Sequence, residues 1–302
     1  MSASTIHHLN CATLCPPVAR LVNGRGGWLS AGRLVCHCLL VVTDDGLVLV
    51  DTGLGTEDIE DPRRLPRTFR FLSRPAYDRA ETAVERVRAL GYDPKDVRHI
   101  VITHLDLDHA GGIGDFPWAT IHVHHAERNA ALSRATIPEK DRYIPAQWDH
   151  HDAWQTYSEA GESWFGLRAV RPIGGSGDIA LIPLFGHSRG HSGVAVNTGN
   201  GWLLHAGDAY FHHRELDIVA PHCPPGIGLF AQVTQFDADA RLGNIARLAQ
   251  LRRRHRAEVT MFCSHDPDEW TELVERRYAR ASVPAKSPGP GSRLPASDFR
   301  HG

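Results

Sequence analysis

The chain has 302 residues, 42% hydrophobic and 23% charged, and its 33 Lys and Arg against 35 Asp and Glu leave a formal charge of −2. That balance excludes partners held by bulk charge, nucleic acid among them, and the length suits one large domain or two small ones whose core needs no disulfide staples. The excess is in histidine, 20 of them, the side chain that titrates near neutrality and most often binds metal.

In chain order, the start MSASTIHHLNCATLC has neither a basic n-region nor an apolar h-region. No run approaches the roughly eighteen apolar residues of a membrane span. A cytoplasmic location is therefore expected, with Cys11, Cys15, Cys36, Cys38, Cys223 and Cys263 as reduced thiols. Residues 34–43 (LVCHCLLVVT) and 47–51 (LVLVD) read as strands, and Asp44-Asp45-Gly46 between them reads as a hairpin turn. The alternation through Cys36-His37-Cys38 favours buried thiols over a metal clip. Residues 55–76 are polar and rich in Arg and Pro, an excursion over the surface. A helix is expected over 78–90, with Ala83, Val84, Val87 and Leu90 inward and Gly91 to stop it.

A strand at 98–103 leads into THLDLDHAGG, a strand at 120–125 follows, and 126–134 reads as a short helix. Residues 135–168 carry Trp148, Trp154 and Trp164 among polar residues and read as a helical or looped insertion, with a small core of its own or an apolar wall for substrate. Strands are expected at 179–184, 193–198, 202–206 and 258–263. A helix is expected over 237–254 with Leu242, Ile245, Leu248 and Leu251 inward. Two halves of this kind predict an α/β protein with two sheets packed face to face and helices outside, one domain over 1–282. From Val283 Pro, Gly, Ser and Arg dominate, which predicts a disordered tail.

The chemistry concentrates at strand ends. His104, Asp106, Asp108 and His109 place four ligand-type side chains within six residues after an apolar strand. In an extended chain 104 and 106 point the same way, and 108 and 109 can turn to a neighbouring position. That suits two metals a few ångströms apart better than one. The Gly111-Gly112 pair lets the backbone turn beneath them. Three later fragments repeat the form: Gly186-His187 to His191, Gly207-Asp208 and Ser264-His265.

Taken together, these segments resemble the metallo-β-lactamase superfamily of metal-dependent hydrolases over roughly residues 35–270. The family's HxHxDH is matched by His104, Asp106, Asp108 and His109, its GH(S/T)xGH by His187 to His191, and its strand-end DTG by Asp51-Thr52-Gly53. The resemblance implies an αβ/βα sandwich, two mixed sheets with helices outside. It also implies two divalent metals, zinc first, with iron or manganese open. One metal would take His104, Asp106 and His187, the other Asp108, His109 and His265. Asp208 would bridge them, and Asp51 and His191 would support the ligands from behind.

One departure matters, because Asp106 stands where the family has its second His. A carboxylate there hardens the site and adds negative charge. Diiron flavoproteins of the same superfamily carry one, but they append a flavodoxin-like domain for which the residues after 270 are too few. The resemblance implies hydrolysis of an ester, lactone or related bond by a metal-bound hydroxide, with Asp108 as proton carrier. A diiron redox enzyme or a phosphodiesterase is the alternative. The layout is closest to the lactonase and esterase branch, where a Tyr after the bridging Asp assists the carbonyl, a part that falls to Tyr210. The expected partner is a small-molecule substrate, with a homodimer left open. His122, His124, His125, His150, His151, His212 and His213 fall on strand or polar-loop positions and are not expected to be ligands.

Overall fold

The apolar runs become the strands of two sheets. The computed structural model describes residues 5–158, 161–173 and 178–281. Among these, the first six-stranded sheet runs in sequence order: β1 (Thr5–Leu14), β2 (Leu34–Thr43), β3 (Gly46–Val50), β4 (Val97–Val101), β5 (Thr120–His124) and β6 (Trp154–Tyr157). The first three are antiparallel neighbours and the rest join in parallel. The second sheet contains β7 (Glu162–Trp164), β8 (Leu167–Ile173), β9 (Ile179–Pro183), β10 (Ser192–Asn197), β11 (Trp202–His205) and β12 (Val259–Phe262). It is antiparallel except for the parallel β11–β12 pair.

Alternation sorts the side chains into layers. Leu39, Val41, Val48, Val50 and Val101 of the first sheet meet Leu181, Val194, Val196, Leu203 and Phe262 of the second in the central core. On the outer face of the first sheet, Leu40, Leu49 and Ile100 pack under Ala83, Val84 and Val87 of the helix Ala83–Ala89. On the outer face of the second, Ile182, Ala195 and Leu204 pack under Leu248 and Leu251 of the helix Ala238–His255. Each large aliphatic side chain buried this way contributes about 1.5–3 kcal/mol. The result is the expected four-layer sandwich.

Three expectations are corrected. Residues 135–168 are not a detached insertion. After a short helix, Ile137–Arg142, they supply the edge strand of the first sheet and then the outer strands of the second. The tryptophans divide accordingly. Trp148 and Trp154 meet edge to face at 6.2 Å under the first sheet, while Trp164 packs on Trp202 under the second, so they wall no common pocket. Leu242 points outward and is 54% exposed, whereas Leu248 and Leu251 are buried as expected. Strand β1 was not anticipated. The expected tail at 283–302 lies outside the described residues. No helix among the described residues is long and apolar enough to cross a membrane, and the six cysteines are free thiols.

Candidate metal centre

Both sheets deliver their strand ends to one place. The loop after β4 carries His104, Asp106, Asp108 and His109, the last two on the single turn Leu107–Ala110. From the second sheet come His187 after β9, Asp208 after β11 and His265 after β12. Two trios have their ligand atoms within 4.8 Å of one another: His104, His187 and Asp208, and His109, His265 and Asp208. Asp208 belongs to both. Its Oδ2 is 3.6 Å from His187 Nε2, and its Oδ1 is 3.4 and 3.3 Å from Nε2 of His109 and His265. Asp108 Oδ2 lies 3.7 Å from His265 Nε2. Asp106 Oδ2 lies 3.1 Å from His187 Nε2 and 3.5 Å from His104 Nε2. The seven side chains named from the sequence therefore converge.

The supporting contacts decide which ring nitrogen is free. Asp51 sits in the left-handed region with φ of 56°, which turns its carboxylate inward from the end of β3. One oxygen accepts the Thr103 N–H at 2.7 Å. The other accepts the Thr103 hydroxyl at 2.7 Å and His109 Nδ1–H at 2.8 Å. Because the Thr103 hydroxyl is spent on Asp51, its oxygen accepts from His104 Nδ1–H at 3.0 Å. His265 Nδ1–H donates to the Val35 carbonyl at 2.7 Å. All three rings thus present an Nε2 lone pair to the centre. His191 donates from Nδ1 to the Leu184 carbonyl, and its Nε2 accepts the Asp208 N–H at 2.8 Å. A side chain at Gly207 would put its Cβ 2.5 Å from that Nε2, so glycine is required there.

These groups fit a cation and little else. His104 Nε2 and Asp208 Oδ1 are buried without a hydrogen-bond partner. His109 Nε2 and His265 Nε2 face each other at 3.3 Å although both rings have committed their Nδ1 protons elsewhere. Orphaned acceptors of this kind are costly unless positive charge joins them. Burial would push protons off His109 and His265, but Asp208, with Asp51 beside His109, lifts both rings well above the ordinary range. Burial likewise raises Asp208, and His265 and His109 outweigh it to hold the carboxyl well below its usual value. The pocket demands cationic charge at the points where the two trios meet.

Three residues at the site were not singled out from the sequence. Glu127, fully buried, accepts from Leu105 N–H at 3.0 Å, from the Ser188 hydroxyl at 2.7 Å and from Gly190 N–H at 2.9 Å, which pins the His104 loop to the His187 loop. Arg142 reaches in from the helix Ile137–Arg142 to pair with Asp106 at 2.9 Å. Cys36 lies within 4.8 Å of Asp108 and His265, and burial pushes its thiol up to about 11. Neither Glu127 nor Arg142 has a local sequence signal. Cys36 stood in plain view on β2, where the alternation favoured a buried thiol over a metal clip.

Tyr210 does not take the place expected of it. It is fully buried under the second sheet, and its hydroxyl donates to Glu269 at 3.0 Å. Its neighbour Phe211 faces the ligands instead, stacked with the His265 ring at 5.9 Å and edge-on to His187 at 5.6 Å. The strand turn after Asp208 puts the aromatic without a hydroxyl at the site. The remaining histidines stay out of the two trios. His212 and His213 gather with Asp266, but the oxygens of Asp266 already accept from His213 and from the N-terminal amides of the helix Pro267–Ala281, the pattern of a helix cap.

Residues 31–282 match the model of the metallo-beta-lactamase superfamily. A probable metallo-hydrolase of Mycobacterium tuberculosis is 42% identical over 264 residues, 87% of this chain and 80% of that protein. An N-acyl homoserine lactonase of Agrobacterium fabrum is 29% identical over 78% of this chain and 82% of its own length. Among solved structures, an N-acyl homoserine lactone hydrolase with N-hexanoyl-L-homoserine bound at its catalytic metal center superposes with a TM-score of 0.66. It is 21% identical, and the match covers 90% of this chain and 97% of that one. With two facing sheets, candidate ligands at their strand ends and a family match over most of its length, the chain belongs to the metallo-β-lactamase superfamily of metal-dependent hydrolases.

Proposed function

We propose that the protein hydrolyses an ester, lactone or related bond of a small molecule, using two divalent cations with zinc as the first choice. The observation that carries this reading is Asp208, one carboxylate shared by two histidine pairs. When bound, such a pair of ions supplies Lewis acidity and hydroxide at neutral pH. Asp51, Thr103 and the Val35 carbonyl keep His109, His104 and His265 in the tautomer that leaves Nε2 free, and His191 fixes Asp208 through its N–H. Asp108, with Oδ2 3.7 Å from His265 Nε2, is the acidic group placed to pass a proton to the leaving group. Phe211 covers the His187 and His265 rings with an apolar face that keeps water off them. The relatives named as lactonases support an ester or lactone over a phosphodiester.

The test is elemental analysis of metal-replete protein joined to a panel of lactone, aryl ester, thioester and phosphodiester substrates. About two ions per chain with turnover of a lactone or ester is the expected result. Turnover of none of the four with zinc, manganese or iron supplied overturns the reading. A coloured protein that reacts with oxygen only when given an electron donor would favour the diiron alternative instead.

A further inference from the structure

The one departure from the family motif has a partner. Asp106 Oδ1 is paired with Arg142 Nε at 2.9 Å, and the two side chains are only 14% and 13% exposed. The guanidinium cannot swing away, because Nη1 donates to the His187 carbonyl and Nη2 to the Thr234 carbonyl, both at 2.9 Å. Nη2 also lies 3.4 Å from His187 Nε2. Arginine stays charged at any pH a protein survives. A carboxylate and a guanidinium sum to zero charge, the same as the neutral imidazole that the motif calls for at this position. Oδ2 of Asp106 remains directed at His187 and His104.

We propose that Asp106 and Arg142 act as one neutral unit in place of the missing histidine. Arg142 is then the positioning residue that sets cation affinity at the His104–His187 position. It holds Asp106 and the His187 loop with one planar fork, and it cancels the charge by which a lone carboxylate would bind the ion more tightly and favour a harder one. The inference rests on the dinuclear reading above for the number of ions, but not for the coupling between the two side chains.

A counter-intuitive result follows. Asp106→His restores the family motif yet strands a fixed positive charge beside two imidazoles, so it should bind metal worse than the native chain. The experiment is a four-protein cycle of native, Asp106→His, Arg142→Met and the double variant. Zinc content is measured after dialysis against limiting zinc, and thermal unfolding is measured on chelator-treated, metal-free protein. Asp106→His is expected to fall toward one zinc per chain and to unfold at lower temperature when metal-free, and the double variant to recover both. Arg142→Met alone is expected to release one zinc to a chelator about tenfold more slowly, because the opposing charge is gone. If Asp106→His matches the native protein in zinc content and in metal-free unfolding, the proposal is wrong. If the native protein itself holds fewer than two zinc ions, the dinuclear reading fails, and the metal-free unfolding cycle still decides the pair.

Discussion

Histidines behave in two ways in this molecule, and the contrast separates a site from a scaffold. In the first sheet, His99 Nδ1 meets His122 Nε2 at 2.9 Å and His122 Nδ1 meets the Tyr157 hydroxyl at 2.7 Å. His205, buried between the sheets, bonds the His37 carbonyl through Nε2 and accepts the Gly207 N–H at Nδ1. Both nitrogens of His122 and of His205 are spent on protein partners. At the candidate metal centre His104, His109 and His265 spend only Nδ1 and turn Nε2 toward one another. Burial does not distinguish the two groups. An unspent nitrogen alone does not either, since His37 Nδ1 and His151 Nδ1 are also buried without a hydrogen-bond partner; convergence of such nitrogens on Asp208 does.

The sharpest way to break the comparison is to remove the group on which the unspent nitrogens converge. Asp208→Ala should empty both metal positions and lower hydrolysis by a thousandfold or more (about 4 kcal/mol or more). Retention of two ions by mass spectrometry or atomic absorption would contradict it. The scaffold rings should instead report through stability. Burial, with His99 adding to it, lowers His122 from its ordinary 6.5 to about 4. A group with a depressed folded value contributes fully above its unfolded value and loses that contribution as pH falls toward the folded one. Stability should therefore decline between pH 6.5 and 4, by up to about 3 kcal/mol from this ring. Urea unfolding of chelator-treated protein checks it, and His122→Gln should flatten the slope.

Smaller effects sharpen the boundary. Asp51→Ala leaves the seven ligands in place but frees the His109 and His104 tautomers, so metal affinity should fall by about 10–100-fold in a chelator competition. Tyr210→Phe should leave turnover within about twofold. It should cost about 1 kcal/mol of stability through the lost bond to Glu269, measured by urea unfolding. A large loss of turnover with stability intact would restore Tyr210 to the chemistry.

The sequence made the candidate ligands legible because they follow apolar strands, and strand ends converge when two sheets pack. Leu34–Thr43, Thr120–His124 and Val259–Phe262 stand within a residue or so of the predicted runs for the same reason: long apolar runs leave few alternatives. What stayed hidden had no local pattern. Strand Trp154–Tyr157 has four half-buried or exposed residues at a sheet edge, too few to show a period. Asn10 in β1 is buried as fully as Leu9 beside it, its side chain bonded to Cys36, Thr13 and Glu81, so no alternation of polarity marks the strand. Arg142 acts on Asp106 from 36 positions away, and Tyr210 and Phe211 are separated only by which way one turn faces. Contacts of that sort are created by the fold and cannot precede it.

Glu127 bears on how such a chain comes together. Its carboxylate bonds one loop from each sheet, Leu105 on one side and Ser188 with Gly190 on the other, and a Cβ at Gly190 would sit 2.1 Å from the Glu127 amide. Neither sheet alone supplies a complete trio of candidate ligands. Both trios are complete only where the loops of the two sheets meet, and Glu127 is the tie that holds those loops together.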